Sequence, residues 1–409
     1  MAYDVIVVGA RVAGAATALL LAQAGLRVLV VDRVSFPSDT ISSHQVQLPG
    51  IALLHRWGLL DRLVRAGTPA TPRLRFDPGH VVLEGEFPDH GGVRAIYSPR
   101  RTVLDMVLVD AARAAGAEVL EGARLTDVLV DGGVVRGVQG TRRGGASWRA
   151  TAALVIGADG KHSTVAQRVG ARVYRWRPVG AFACYGYVAD LPVRVGEIYH
   201  RPDRAVAVFP TNDDLTMVYV SGPIREFATF RRDITKSYLD SLDRCGDLGD
   251  RVRAGRLVGH LRTTPDQPNL FRVPYGPGWA LVGDAGVVMD SITAQGISNA
   301  LRDAEGLAAA VIAGLGGACP LAAALADHHR RRDARLAPMF DFTVGLTRFR
   351  GLGRFARAFF AAVADQPTET HRFLGAFTGA IPIDSYLSIG NVARVLVRAR
   401  ASARRALAA

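Results

Sequence analysis

Short runs of β-branched and apolar residues recur along the first part of the chain, each cut off by Gly or Asp: Val5 to Val8, Val28 to Val31 and Leu154 to Ile156. Unbroken apolar runs bounded in this way mark strands buried on both faces of a parallel sheet. Between the first two lies Ala13 to Ala24, which reads as a helix, so the chain opens on a strand, helix, strand unit long enough for a right-handed crossover. A second helix is predicted over Val103 to Ala115, where Leu104, Val107, Leu108 and Ala111 share one face; Gly116 and a strand at Glu118 to Leu120 follow. Val128 to Val130 and Val134 to Val138 flank Asp131-Gly132-Gly133 and read as a hairpin.

From about Val179 to Ser221 the texture changes to alternating, aromatic-rich runs, with Asn212-Asp213-Asp214 as the turn between the last two. This predicts an antiparallel sheet inserted into the first domain, a natural wall for a ligand cavity. Tyr185 and Tyr187, two residues apart, share one face of that sheet and either line the cavity or simply pack the sheet. From Ala300 onward the composition, rich in Ala, Leu and Arg, is helical. His328 and His329, adjacent on a late helix, cannot face the same way and are expected to be solvated.

Three stretches carry chemistry. Gly9-Ala10-Arg11-Val12-Ala13-Gly14 follows a strand and opens a helix, whose N-terminal amides and positive dipole end suit a pyrophosphate. Asp32 ends the next strand at the offset where a carboxylate accepts ribose hydroxyls. Arg11 stands where the usual pattern has its middle glycine; its side chain limits backbone approach, while its guanidinium is itself able to contact phosphate. A strand ending in Gly157-Ala158-Asp159-Gly160 is the second stretch, with Asp159 either at a ligand edge or capping the next helix. The third is a strand ending in Gly283-Asp284, ahead of a helix that starts at Gln295-Gly296 and runs through Asp303: the carboxylate suits ribityl hydroxyls, and the helix terminus suits negative charge on a reduced flavin. Together they read as one flavin dinucleotide site.

Composition adds less. The net charge of +13 over 409 residues is almost all arginine, since Lys161 and Lys236 are the only lysines; this reflects codon bias or a surface attractive to anionic cofactors or acidic carrier proteins. No nucleic-acid module accompanies it. Cys184, Cys245 and Cys319 form neither a disulfide framework nor a metal site, and no metal is expected. No export signal or membrane-length apolar run is visible, so a cytoplasmic location without a membrane span is expected, with the oligomeric state open. Arg394, Arg398, Arg400, Arg404 and Arg405 mark a basic C-terminal helix.

With these motifs in hand, the chain resembles the class A flavoprotein monooxygenases, of the para-hydroxybenzoate hydroxylase fold, and is similar to their geranylgeranyl reductase relatives, over roughly residues 1 to 310. The resemblance implies a Rossmann-like FAD-binding domain over 1–71, 100–172 and 275–318, an inserted antiparallel-sheet substrate domain over 73–99 and 173–274, and a helical C-terminal region over 319–409. It implies FAD contacts at Gly9, Ala10, Arg11, Ala13, Gly14, Asp32, Arg33, Arg101, Leu125, Asp159, Gly160, Gly283, Asp284, Gly296 and Ile297. Arg101 in that set looks like the family's arginine at the flavin's phosphate and ribityl region. The segment Thr40 to Gln45 passes near the flavin ring by the same resemblance, so His44 is a candidate catalytic group (a base toward a phenol, a residue that orients it, or a structural histidine), and Tyr185 and Tyr187 are candidates from the inserted sheet.

The activity so implied is an FAD-dependent, NADPH- or NADH-consuming monooxygenase. It hydroxylates or epoxidises an aromatic or polyketide-like small molecule, free or carrier-protein-bound, through a flavin 4a-hydroperoxide. Val287 and Ser291, where the family has His and Pro, support one alternative, a reductase of isoprenoid or polyene double bonds; Ala166, where the family has Arg, bears on docking of the nicotinamide cofactor, and a flavoprotein that shapes a substrate without redox turnover is a further alternative.

Overall fold

The buried apolar runs assemble into a single sheet. The computed structural model describes residues 2–408, with side chains to residue 401. Its first sheet runs in the order Tyr275–Gly276, Trp279–Leu281, Ser147–Gly157, Tyr3–Val8, Val28–Val31, Glu118–Leu120, parallel throughout except for the first strand. Register matters most here. Val8 lies beside Val31 on one side and Gly157 on the other, and Gly157 lies beside Leu281. The carboxyl ends of four strands therefore finish level, delivering Gly9, Asp32, Asp159 and Asp284 to one edge of the sheet. Ligands of open α/β sheets bind at that edge.

Helix Val12–Gln23 packs between this sheet and helices Arg101–Ala114 and Gly296–Leu315. Ten of its twelve residues are buried, which is why its sequence shows no polar stripe. The run at Leu154 to Ile156 turns out to be the end of a strand of 11 residues, Ser147–Gly157. Its first half pairs antiparallel with the hairpin Ala123–Asp131 and Val134–Arg142 and is partly exposed, so only the buried half carries the apolar signature.

The second sheet has seven strands in the order Arg256–Thr264, Ala181–Ala189, Thr216–Pro223, Arg204–Pro210, Gly196–Arg201, Arg73–Asp77, Leu83–Glu86. One pairing departs from the antiparallel expectation: Gly196–Arg201 runs parallel to Arg73–Asp77, which arrives from a distant segment of the chain. The two strands Ala181–Ala189 and Thr216–Pro223 are buried at every position. One face, with Cys184, Val188, Val218 and Val220, packs under Tyr238 and Leu242, while the other, with Tyr185, Tyr187, Met217 and Tyr219, joins the core of the first domain.

The C-terminal region is helical, including Leu321–Leu346, Arg354–Ala364, Pro367–Phe377 and Ile389–Ala408. Leu321–Leu346 lies along Gly296–Leu315, and this buries His328 against Asp303, contrary to the expectation that both histidines are solvated. Phe360, Phe373 and Phe377 pack around Phe76 and so attach the later helices to the second sheet. Arg394 pairs with Glu369 at 2.8 Å; the side chains of Arg404 and Arg405 lie outside the described residues. Among the described residues no helix is long and apolar enough to cross a membrane, and no group of His, Cys, Asp and Glu is arranged to hold a metal.

Candidate flavin and substrate site

The three sequence stretches meet in space. A Cβ on Gly9 would fall 2.5 Å from the Ala158 carbonyl oxygen, one on Gly14 1.8 Å from the Gly9 oxygen, and one on Gly283 2.7 Å from the Ala13 side chain. Glycine at these positions is what lets the segments touch, and Gly9 and Gly283 also hold positive φ, at 102° and 60°. The helix beginning at Val12 has no side-chain cap, so its first amides stay available to an anion at the sheet edge. Gly296 similarly starts an uncapped helix and has open space at its Cβ position.

Each carboxylate in the cradle has a distinct setting. Asp32 accepts the Ala10 amide at 2.7 Å and the Val34 amide at 3.0 Å, one on each oxygen, which leaves lone pairs for ribose hydroxyls. Asp159 accepts the Ser163 hydroxyl and the Thr164 and Val165 amides, so it caps the short helix that follows; burial nonetheless raises its carboxyl above the ordinary range. Asp284 is exposed to solvent at a cleft, and the protein crowded around its carboxyl raises it above the ordinary range, with Arg101 and Lys161 opposing that shift. The Gly283 amide donates to Asp303 at 2.8 Å, and His328 Nε2 lies 3.2 Å from the other Asp303 oxygen. Buried Asp303 thereby fixes the loop that carries Asp284.

Arg101 and Arg11 share one partner. Arg101 grips both oxygens of fully buried Asp105, and Arg11 reaches the same carboxylate at 2.7 Å while also donating to Ser38 Oγ at 3.0 Å. The Arg11 side chain is thus directed to the Ser38–Asp39 segment. Arg33 is exposed just beyond Asp32, Leu125 belongs to the apolar cluster on the sheet's other face, Gly160 turns the chain at φ 82°, and Ile297 is buried at the start of its helix. An uncapped helix terminus, glycines at the points of closest approach and carboxylates at two separated positions fit an extended dinucleotide such as FAD.

Beyond this cradle stands the inserted sheet, and His44, Tyr185 and Tyr187 come together on its inner face. His44 is fully buried at φ 59°, its Nε2 hydrogen-bonded to the Tyr187 hydroxyl and its ring 5.6 Å from that of Tyr185. The Arg100 guanidinium covers Tyr187 at 4.9 Å. Burial, reinforced by nearby Arg101, lowers the His44 pKa to about 3, so the imidazole is neutral across the physiological range.

A sequence model described as FAD binding domain matches residues 2–343. The chain belongs to this FAD binding domain family. Among curated relatives, it is 27% identical over 326 residues to 6-methylpretetramide 4-monooxygenase of Streptomyces rimosus, covering 74% of this chain and 73% of that protein. It is 30% identical to digeranylgeranylglycerophospholipid reductase 1 of Methanopyrus kandleri over 323 residues, 74% and 78% of the two chains. Its fold matches the myxobacterial chondrochloren halogenase CndH, an FAD-dependent halogenase, with a TM-score of 0.78 at 23% identity over 93% of this chain and 98% of that one. It is an FAD-dependent oxidoreductase, of a family with monooxygenase and reductase relatives.

In this FAD-binding chain the segment joining Asp284 to the Gly296 helix forms the floor of a small, partly open cavity beneath the second sheet. Ala207, Phe209, Met217 and Tyr219 wall it from the sheet, Ser291 and Ala294 from the segment, and Phe377 from the C-terminal helices. Sequence reasoning passed over Tyr219 and Met217, although both fall on the inner face by the same two-residue alternation that picked out Tyr185 and Tyr187. Tyr219 pairs directly across from Tyr185, and Met217 from Tyr187. Ser291, marked in the sequence as a departure, bonds to the Tyr219 hydroxyl at 2.9 Å and to Gln267. Phe377 left no sequence signal, because its contribution depends on how distant helices fold back.

Proposed function

We propose that the chain is an FAD-dependent monooxygenase that draws electrons from NADPH or NADH and hydroxylates or epoxidises an aromatic or polyketide-like small molecule, free or carrier-bound. The observation that carries this reading is the apolar cavity whose floor is the segment between Asp284 and Gly296, the stretch that also borders the flavin cradle. The Streptomyces rimosus relative, by its name a monooxygenase of 6-methylpretetramide, supports the monooxygenase reading. Bound in the cradle, FAD supplies the electron transfer and the activation of dioxygen.

The protein's share follows from its own groups. The helix beginning at Gly296 directs its positive end toward the ring site and favours negative charge there. The cavity walls exclude water and hold the substrate's reacting carbon close to the ring position, which lowers the entropic part of the barrier. His44, neutral, fully buried and tied to Tyr187, holds that tyrosine in place rather than touching substrate in the cavity; so depressed a pKa leaves it a weak base. Tyr219 and Ser291 offer hydroxyls on the opposite side.

The test is turnover of the holoenzyme with NADPH or NADH and an aromatic polyketide panel under heavy-isotope dioxygen. One labelled oxygen in the product supports the reading. Substrate-stimulated nicotinamide oxidation without label in the product overturns it. A second reading, reduction of an isoprenoid or polyene double bond, is favoured by Val287 and Ser291 and by the reductase relative; it requires a product two hydrogens heavier, formed equally well without dioxygen.

A further inference from the structure

The substrate cavity has an unusual electrical character: among its lining residues none is charged. Its walls are Ile198, Ala207, Phe209, Met217, Ile292 and Phe377 with a few neutral polar groups between them. Bringing a carboxylate there is unfavourable, with no cation on the lining to offset its desolvation. One polar group on the wall stands out. Gln45 is 3% exposed, and its Nε2 has no hydrogen-bond partner among the described residues. A buried amide left unpaired costs free energy in the resting fold, so its retention calls for a partner that arrives from elsewhere.

We propose that Gln45 is the polar anchor that selects a neutral ring substrate bearing a carbonyl or hydroxyl, pairing with that oxygen while the apolar walls hold the ring. This rests on the cavity assigned under the proposed function. A primary amide both donates and accepts, and rotation of its last torsion presents either end. Gln45 therefore matches a ketone or a phenol equally. Its neighbour His44 turns the opposite way, onto Tyr187, because His44 occupies the left-handed backbone region at φ 59°. That inversion aims residues 43 and 45 at the cavity while residue 44 faces the tyrosines. Ser291 and Tyr219, already bonded to each other, receive the far side of the ring.

The experiment measures binding to oxidised holoenzyme, without turnover, so it stands whatever the reaction proves to be. Dissociation constants for 1-tetralone, tetralin and 1-naphthoate are read by calorimetry with wild type, Gln45→Leu and, in case that variant folds poorly, Gln45→Met. Wild type is expected to prefer 1-tetralone over tetralin about tenfold, one hydrogen bond's worth at 1.4 kcal/mol per decade. It should bind 1-naphthoate more weakly still. In either variant the ketone preference is expected to vanish while tetralin binds unchanged and the thermal midpoint without ligand stays level or rises, since an unpaired amide has been removed. A preference retained in both variants, naphthoate binding as tight as tetralone, or no saturable tetralone binding to wild type would each overturn the assignment. Loss of label incorporation with this binding pattern intact would instead remove only the monooxygenase reading.

Discussion

Replacing His44 by asparagine isolates a pH dependence that the structure assigns to one ring. Asparagine tolerates the left-handed backbone at φ 59° and removes the titrating group. His44 is completely buried, and its pKa falls from 6.5 to about 3 through burial first and Arg101 second. Below pH 6.5 the unfolded chain therefore takes up a proton at this residue that the folded chain refuses. The contribution is fully present above 6.5 and drains away as pH falls toward 3. At 1.36 kcal/mol per unit, the loss between pH 7.5 and pH 4.5 is about 2.7 kcal/mol. The cut contact to Tyr187 adds a penalty to the variant that does not vary with pH in this range. Urea unfolding of wild type and His44→Asn, each at pH 7.5, 6.5, 5.5 and 4.5, is the assay. Wild type should lose about 2.7 kcal/mol more than the variant across the series. Two parallel curves, within about 0.5 kcal/mol, would refute the claim that His44 is folded as a neutral, unprotonated ring.

Other changes test other parts of the site. Asp290 is buried with one carboxylate oxygen unpaired, and burial raises its pKa to about 7, so the stability its protonated form confers is lost as pH rises from 3.8 to 7. Asp290→Asn should match wild type near pH 4 and exceed it by up to about 4 kcal/mol at pH 8 in the same unfolding assay. Gly14→Ala forces a methyl to within 1.8 Å of a backbone oxygen; at least a tenfold weaker FAD affinity by fluorescence titration and a loss of about 3 kcal/mol are expected. Asp303→Ala strands the Gly283 amide, at about 1–3 kcal/mol, whereas Asp303→Asn should keep the amide bond and most of the FAD affinity.

The sequence made the cradle legible because its demands are local: a strand end, a glycine where segments touch and a carboxylate at the next strand end all lie within one short stretch each. Level strand ends then followed from parallel pairing. The substrate side was only half legible. Alternation along Ala181–Ala189 placed Tyr185 and Tyr187 on one face, but burial on both faces erased the polar half of the pattern, so nothing in the sequence said which face met the cavity. The orphaned amide of Gln45 was invisible as well, since an unmet hydrogen bond is a property of surroundings. His328 was misjudged for a related reason: neighbouring arginines looked like a solvated face, yet Leu321–Leu346 is a packed helix in which even Arg332 is wholly enclosed.

Phe377 carries the cavity wall past the cofactor-binding stretch. The match to the FAD binding domain family ends at residue 343, yet this ring, from a helix well past that point, closes one side of the substrate cavity, and its carbonyl receives the Gln295 amide beside the Gly296 helix. Part of the cavity wall thus lies past the stretch that carries the dinucleotide cradle, while Gln45, the second sheet and Ser291 supply the rest from within it. Exchange of the last helices between relatives would re-dress that one side of the cavity and would reach the cradle through the Gln295 contact.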